Sequence, residues 1–297
     1  MIQRATFGQT NRSFMTDLHA NSRALDRVQH QVSTGKRISA PADDPVGIAQ
    51  ALRIRQDQTS IAAWRSNIDD SLTWLQATDT ALDGATQIIQ RAHELAVQGA
   101  NGSLSQNDRD AIAREIRELR AQMQEVGNSS LAGRYLFAGT GTLQPPFGPA
   151  LPNASANGAD IVREVGQGEV IAVNTKPAQL MGPGGSTPDI FATLDQLATD
   201  LSAGNLSGVS GALTTLDAHL GNISDLRGAV GGKVNRLEMA QDRFTSVELA
   251  GLEQLSKVED VDMAEALTDL KTRETVLRAS LGVGGRVLQP SLLDFLR

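Results

Sequence analysis

Four acidic residues, Glu259, Asp260, Asp262 and Glu265, form the densest group of potential metal-binding or proton-transfer side chains in the chain. As a calcium loop the group fails, because the oxygen spacing and the central glycine of an EF-hand are missing. Acidic residues also suit the first turn of a helix, where the backbone dipole is positive, so the group is read as a solvated helix start. Asp43 and Asp44 could form a carboxylate pair for acid–base work, but adjacent residues point apart, and a helix cap accounts better for Asp44. His19, His30, His93 and His219 show no H-x-x-x-H spacing and have no cysteine partners, so no metal site is expected. Gly139-Thr140-Gly141 is too short for a phosphate loop, and neither a G-x-S-x-G nor a dinucleotide fingerprint occurs. Asn128-Ser129-Ser130 matches a glycosylation sequon, which carries little weight without a secretory signal. The residues thus point to no enzyme, with no catalytic, cofactor-binding or metal-binding set and no cofactor.

What these residues punctuate is helix. Ser33-Thr34-Gly35-Lys36-Arg37-Ile38-Ser39-Ala40-Pro41-Ala42-Asp43-Asp44-Pro45 separates two long helical patterns. Gly35 can take the positive φ of a helix C-terminus, and Lys36 and Arg37 suit the negative end of the dipole. Pro41 bars continuation. Asp44 is a good N-cap, and Pro45 falls at the first helical position, where its missing N–H costs nothing. The stretch reads as a helix corner built on Gly35, Asp43, Asp44 and Pro45.

Apolar residues make 40% of the 297-residue chain but aromatics only 3%, so burial must rest on Leu, Ile, Val and Ala, which suits thin helical bundles better than one deep core. The net charge is −7 and no basic stripe stands out, so no nucleic-acid partner is expected. No run of about 18 apolar residues occurs, so no membrane insertion is expected. The first residues, Met1 to Gln9, lack the apolar core of a cleaved signal, so an exported chain would leave by another route.

Along the chain, Phe7, Asn11, Phe14, Leu18, Asn21, Leu25, Val28 and Val32 alternate four and three, the spacing of a coiled-coil seam. Asn11 and Asn21 are either tolerated polar positions or selectors of register and partner. From Pro45 to about Gln98 no proline occurs, and Ile54, Ile61, Ile68, Leu72, Leu75, Leu82 and Ile89 keep a near-heptad row. Such a helix would run about 80 Å. Trp64 and Trp74 read as packing residues. Ser105 should cap a further helix, with Asp108 in its first turn, that folds back as a hairpin on the preceding one through Ile112, Ile116, Leu119, Met123 and Val126.

Character changes at Gly133. Arg134 to Thr140 reads as a strand, Gly141 to Gly158 is rich in breakers, and Gly166-Gln167-Gly168 joins two β-prone runs as a hairpin. Residues 134–188 are therefore read as a small β-rich insertion, separable from the helices around it. Helix resumes near Pro188, breaks at Gly204 and restarts around Gly208. Leu213, Leu216, Leu220, Ile223, Val230, Val234, Leu237, Phe244, Leu255 and Val258 continue one ladder, interrupted at Arg227, Gln241, Glu248 and Gly251. Gly228, Gly231 and Gly232 either weaken this helix, by about 1 kcal/mol each relative to Ala, or permit a close helix contact. The ladder slips at Glu259 to Asp262 and restarts in a new phase at Met263, Leu267, Leu270, Leu277 and Leu281.

Three blocks resemble the bacterial flagellin superfamily: the corner with Asp43-Asp44-Pro45, Gln90 to Gly102, and Val258-Glu259-Asp260-Val261-Asp262-Met263-Ala264-Glu265-Ala266. Gly133 to Thr140 with Gln144-Pro145-Pro146-Phe147, and Ser291-Leu292-Leu293-Asp294-Phe295-Leu296, resemble its hook–filament junction branch, that of hook-associated protein 3; filament flagellin and a non-flagellar coiled-coil adaptor are the alternatives. The expected fold is mainly α: an elongated antiparallel helical rod or coiled coil formed by the N- and C-terminal halves, with the β-rich insertion in the middle. Residues 1–44 and 259–297 would form an inner terminal coiled coil, and 45–133 and 189–258 the two halves of the rod. The resemblance implies a structural subunit of the extracellular flagellum, exported by the flagellar secretion apparatus without a cleaved signal peptide. It implies self-assembly into a ring or tube, a neighbouring hook-associated protein and flagellin as partners, and an export chaperone at the C-terminal helix. The assembly residues would be the apolar members of the two terminal seams: Phe7, Phe14, Leu18, Leu25, Val28 and Val32 with Met263, Leu267, Leu270, Leu277 and Leu281.

Overall fold

The structure, a computed structural model, describes residues 2–148, 156–184 and 187–287. In chain order the elements are α1 (Ile2–Thr34), α2 (Pro45–Gly99), α3 (Gln106–Gly127), β1 (Ser130–Leu131), β2 (Arg134–Tyr135), β3 (Val162–Gly166), β4 (Glu169–Ala172), α4 (Pro177–Met181), α5 (Ile190–Ala203), α6 (Leu206–Glu259) and α7 (Met263–Val287). The fold is mainly α, and the strands described form two antiparallel two-stranded sheets, β1–β2 and β3–β4. The chain divides into two units, residues 60–246 and residues 1–59 with 247–297. The long helices α2 and α6 contribute to both.

In the 60–246 unit, heptad spacing translates directly into burial. Ile61, Ile68, Leu75, Leu82 and Ile89 of α2 are buried, as are Leu216, Ile223, Val230, Leu237 and Phe244 of α6, one residue in seven on each helix. Trp64 stacks on Phe244 with ring centroids 5.5 Å apart. The polar interruptions of the α6 ladder reach across to α2. The Arg227 guanidinium donates to Asp79 at 2.9 Å and to Asp83 at 2.8 Å, and Gln241 Nε2 donates to Asp69 at 2.9 Å. At Gly228, Gly231 and Gly232 a Cβ would meet open space, so no close helix contact requires them.

Ser105 and Asp108 form a reciprocal capping box at the start of α3, whose Ile112, Ala113, Ile116, Leu119 and Met123 are buried. The expected hairpin partner was α2, and Arg91 of α2 does bridge to Glu115 of α3 at 2.6 Å. The α5 helix packs against α3 as well. Asp189 caps α5 by accepting from the Ala192 N–H at 2.8 Å, and Gly204, at φ 70°, ends it. Helix then restarts at Leu206, two residues earlier than Gly208. His219 of α6 is buried, with Thr193 Oγ1 3.3 Å from its Nε2, and desolvation holds its imidazole below the usual histidine range.

The 134–188 segment departs most from expectation. The strand is only Arg134–Tyr135, paired with β1 across a turn of two positive-φ residues, Ala132 at 48° and Gly133 at 76°. Leu136, Phe137 and Ala138 are buried one after another, and they lie in a turn rather than a strand. The chain instead turns at Gly139, φ 65°, where Asn157 leaves no room for a Cβ. The hairpin over 162–172 forms around Gln167-Gly168, with a bulge at Glu164/Gly166. Nor does the segment stand apart. Leu136, Phe137, Phe147, Val165, Ile171, Val173 and Leu180 belong to the same hydrophobic cluster as α2, α3, α5 and α6. Short apolar runs between breakers resemble a module in sequence. Here they pack into one core with the helices.

Candidate assembly interface

The second unit brings the corner after α1 against the turn between α6 and α7. Gly35, at φ 70°, closes α1 with its N–H on the Gln31 carbonyl at 2.8 Å. The next residues pair with the other turn through the backbone. The Arg37 N–H donates to the Glu259 carbonyl at 2.6 Å and the Val261 N–H to the Gly35 carbonyl at 3.0 Å, flanking an antiparallel bridge between Lys36 and Asp260. Arg37 Nη2 adds a bond to the Val258 carbonyl at 2.9 Å. The two adjacent aspartates have separate tasks. Asp43 Oδ2 accepts from the Ala40 N–H at 2.9 Å and the Ser39 N–H at 3.2 Å, and these backbone donors hold its carboxyl below the usual carboxylate range. Asp44 Oδ1 accepts from the N–H groups of Val46 and Gly47 at 3.1 and 3.0 Å, at the start of α2 where Pro45 is the first residue.

Asp44→Ala is expected to lower stability by about 0.5–2 kcal/mol, and Asp44→Asn by less because it keeps the acceptor. Chemical denaturation of the two variants measures this; equal losses would show that the acceptor oxygen is not what matters.

Glu259 is the residue that reasoning from sequence misplaced. Its acidic neighbours suggest a solvated helix start, yet it ends α6 and its side chain is only 6% exposed. Its Oε2 receives both Lys36 Nζ and Arg55 Nη2, each at 2.7 Å. Two cations make burial of one carboxylate tolerable. In the sequence Lys36 reads only as a charge suited to the end of α1, and Arg55 carries no signal at all. Of the acidic group only Asp262 acts as a cap, accepting from the Ala264 and Glu265 N–H groups at 2.9 and 3.2 Å. Among the described residues, no cluster of three or more His, Cys, Asp or Glu could hold a metal ion.

Beyond the corner, α1 pairs with α7. On α1, Leu25 and Val28 are buried and Phe14, Leu18 and Val32 half-buried, while Phe7 lies in the helix with its side chain outside the described residues. On α7 the covered row is Ala266, Leu270, Leu277, Ser280 and Gly284. Gly284 leaves space for the Phe14 ring, and Asn21 Nδ2 donates to Ser280 Oγ at 3.3 Å. The expected stripe therefore divides. Leu270 and Leu277 lie in the covered row, whereas Met263, Leu267 and Leu281 are exposed, together with Val276 and Val283. The phase differs because small residues, Ala266, Ser280 and Gly284, permit the close approach, and a search for large apolar residues passes over them.

Residues 9–142 match the family pattern described as the bacterial flagellin N-terminal helical region, and residues 213–296 match the bacterial flagellin C-terminal helical region. The chain belongs to the bacterial flagellin superfamily. Both turns of the paired corner lie inside the flagellin-matched segments, and 143–212 lies outside them. Among flagellin-superfamily relatives, the chain is 29% identical to the flagellar filament 30.7 kDa core protein of Treponema maltophilum, over 91% of this chain and 92% of that one. It is 28% identical to flagellar hook-associated protein 3 of Escherichia coli K12, over 84% and 86%. In fold it resembles a Vibrio parahaemolyticus protein provisionally described as flagellar hook-associated, with TM-score 0.68 and 22% identity over 73% of this chain and all of that one (100%). These relatives are structural flagellar proteins, not enzymes. No helix among the described residues is long and apolar enough to cross a membrane.

Proposed function

We propose that this chain is a structural subunit of the bacterial flagellum, forming the junction between hook and filament through its terminal helices. The observation that carries the reading is the 28% identity to a hook-associated protein 3 along nearly the full length of both chains. Residues 1–44 and 259–297 act as the inner terminal coiled coil and 45–133 with 189–258 as the helical body. Exposed Met263, Leu267 and Leu281 meet neighbouring subunits, which is the use their exposure suggests. The partners are further copies of the chain, an adjoining hook-associated protein and flagellin, with an export chaperone on the C-terminal helix before assembly. The subunit works outside the cell and reaches its place through the flagellar secretion apparatus, without a cleaved signal peptide. The stretch Ser291 to Leu296, whose sequence favours the junction branch, lies outside the described residues.

A filament subunit is the second reading, favoured by the 29% identity to the Treponema filament core protein. Electron microscopy of the purified chain mixed with isolated hooks separates the two. A junction subunit adds a layer of fixed length to the hook end, and a filament subunit elongates without limit. No addition to hooks would count against both.

A further inference from the structure

Two carboxylates are buried among the described residues, and only one of them has cations. Glu259 is held by Lys36 and Arg55, whereas Asp200, near the end of α5, is 7% exposed and forms no ion pair among the described residues. Its Oδ1 accepts from Asn205 Nδ2 at 2.9 Å and from Gln196 Nε2 at 3.2 Å. The first of these bonds is structural, because Asn205 Oδ1 in turn accepts from the Gly208 N–H in the first turn of α6. Oδ2 is different. It receives no hydrogen bond among the described residues, yet it is not sealed from water. A Cβ on Gly208 would collide with it, so the glycine is what leaves this oxygen its place. The start of α6 beside it favours a negative charge.

Asp200 stands at one end of a cavity of about 380 Å³ between α5 and α6. Asp200 and Thr193 of α5 and Gly208 and Thr215 of α6 line it, and the seven residues separating each pair span about 10 Å of helix. Ala192 and Ala212 supply apolar wall between them. The Thr193 hydroxyl already faces His219, and the Thr215 hydroxyl donates to the Gly211 carbonyl at 3.3 Å. Gln196 Oε1 is a second lining acceptor without a partner, since the amide nitrogen is the atom bonded to Asp200. No Lys, Arg or His lines the cavity. It therefore has one anionic oxygen at one end and uncharged wall along the rest. The complement is a single cation on an aliphatic stem. One free carboxylate oxygen beside an amide oxygen suits the point charge of an ammonium better than the paired donors of a guanidinium. One carboxylate is too few ligands for a metal ion. Asp200 and Gly208 lie in 143–212, outside both flagellin patterns.

We infer that the cavity between α5 and α6 binds a primary alkylammonium group, with the cation on Asp200 Oδ2 and its stem along Ala192 and Ala212. Such a group is either a free alkylamine or the lysine side chain of another protein. The test uses the isotope-labelled full-length chain and follows the backbone amide resonances of Gly208 and Gly211 during titration with n-butylamine. The amine should shift both saturably, while the neutral n-butanol should leave them nearly unchanged and n-butylguanidine should bind more weakly than the amine. Asp200→Asn keeps Oδ1 as the acceptor for Asn205 and Gln196 and removes the charge, so it should weaken amine binding about tenfold. Thermal unfolding checks that this variant is folded; if it is not, the comparison of n-butylamine with n-butanol on the unaltered chain decides. No saturable shift with the amine, n-butanol or n-butylguanidine binding as tightly as the amine, or a folded Asp200→Asn variant that binds the amine unchanged would each overturn the inference. Nα-acetyl-lysine methylamide separates the two sources. If it binds as tightly as n-butylamine, the site takes a lysine side chain of a partner protein, and if only n-butylamine binds, it takes a free amine.

Discussion

Phe147→Ala should destabilise the 60–246 unit by about 3–5 kcal/mol, the range for truncating a fully buried aromatic. Phe147 is 1% exposed, and its ring centroid lies 5.3 Å from that of Phe191 on α5. A Cβ at Gly127 would meet the Phe147 ring within 2.6 Å, so the end of α3 is shaped around it. The backbone of Phe147 is pinned separately. Its N–H donates to Asn128 Oδ1 at 3.0 Å and its carbonyl accepts from Asn128 Nδ2 at 2.8 Å. These bonds survive truncation, so the variant keeps the loop in place and leaves a void that the surroundings cannot easily fill. Urea denaturation followed by helical circular dichroism reads the loss. A change under about 1 kcal/mol would mean that the segment covers the helices without completing their core.

The second large effect is expected at Glu259, and it is asymmetric. Replacing Lys36 and Arg55 together by alanine leaves a buried carboxylate with no cation, a loss of about 3 kcal/mol or more. Glu259→Gln leaves two cations whose side chains are 41% and 48% exposed and can turn to water, so it should cost distinctly less. Denaturation curves for the two variants test the ordering. If Glu259→Gln were the more damaging change, hydrogen-bond geometry rather than charge compensation would hold the two turns together.

The parts of the fold legible in the sequence are those whose determinants are local. Ile61 to Ile89 and Leu216 to Phe244 announce their buried faces by heptad spacing, and Ser105 with Asp108 announces a helix start within four residues. Glu259 does not, because the cations that bury it stand 223 and 204 residues away, while its neighbours Asp260 and Asp262 make it look like one more solvated acid. Leu136-Phe137-Ala138 misleads for a related reason. An apolar run between glycines fits a strand, and only the surrounding helices show that all three side chains are covered. The α7 seam escaped because Ala266, Ser280 and Gly284 matter for being small. Within the candidate interface, then, the corner's own turn chemistry was readable, and the partner across from it was not.

The pairing of α1 with α7 also fixes an order of events. Asn21 meets Ser280 across 259 residues, so α1 leaves the ribosome well before the α7 it pairs with. Closing so long a loop adds little to the equilibrium cost, about 0.6 kcal/mol per doubling of length. Contacts this distant in sequence nonetheless form slowly. A single amphipathic helix has marginal stability on its own in water. The 60–246 unit draws its buried cluster entirely from its own residues, Ile61 to Phe244, and can acquire it while both ends are still searching. The terminal unit is thus the late-forming one by topology alone, and until residue 280 arrives the apolar side of α1 stays open to whatever binds it first.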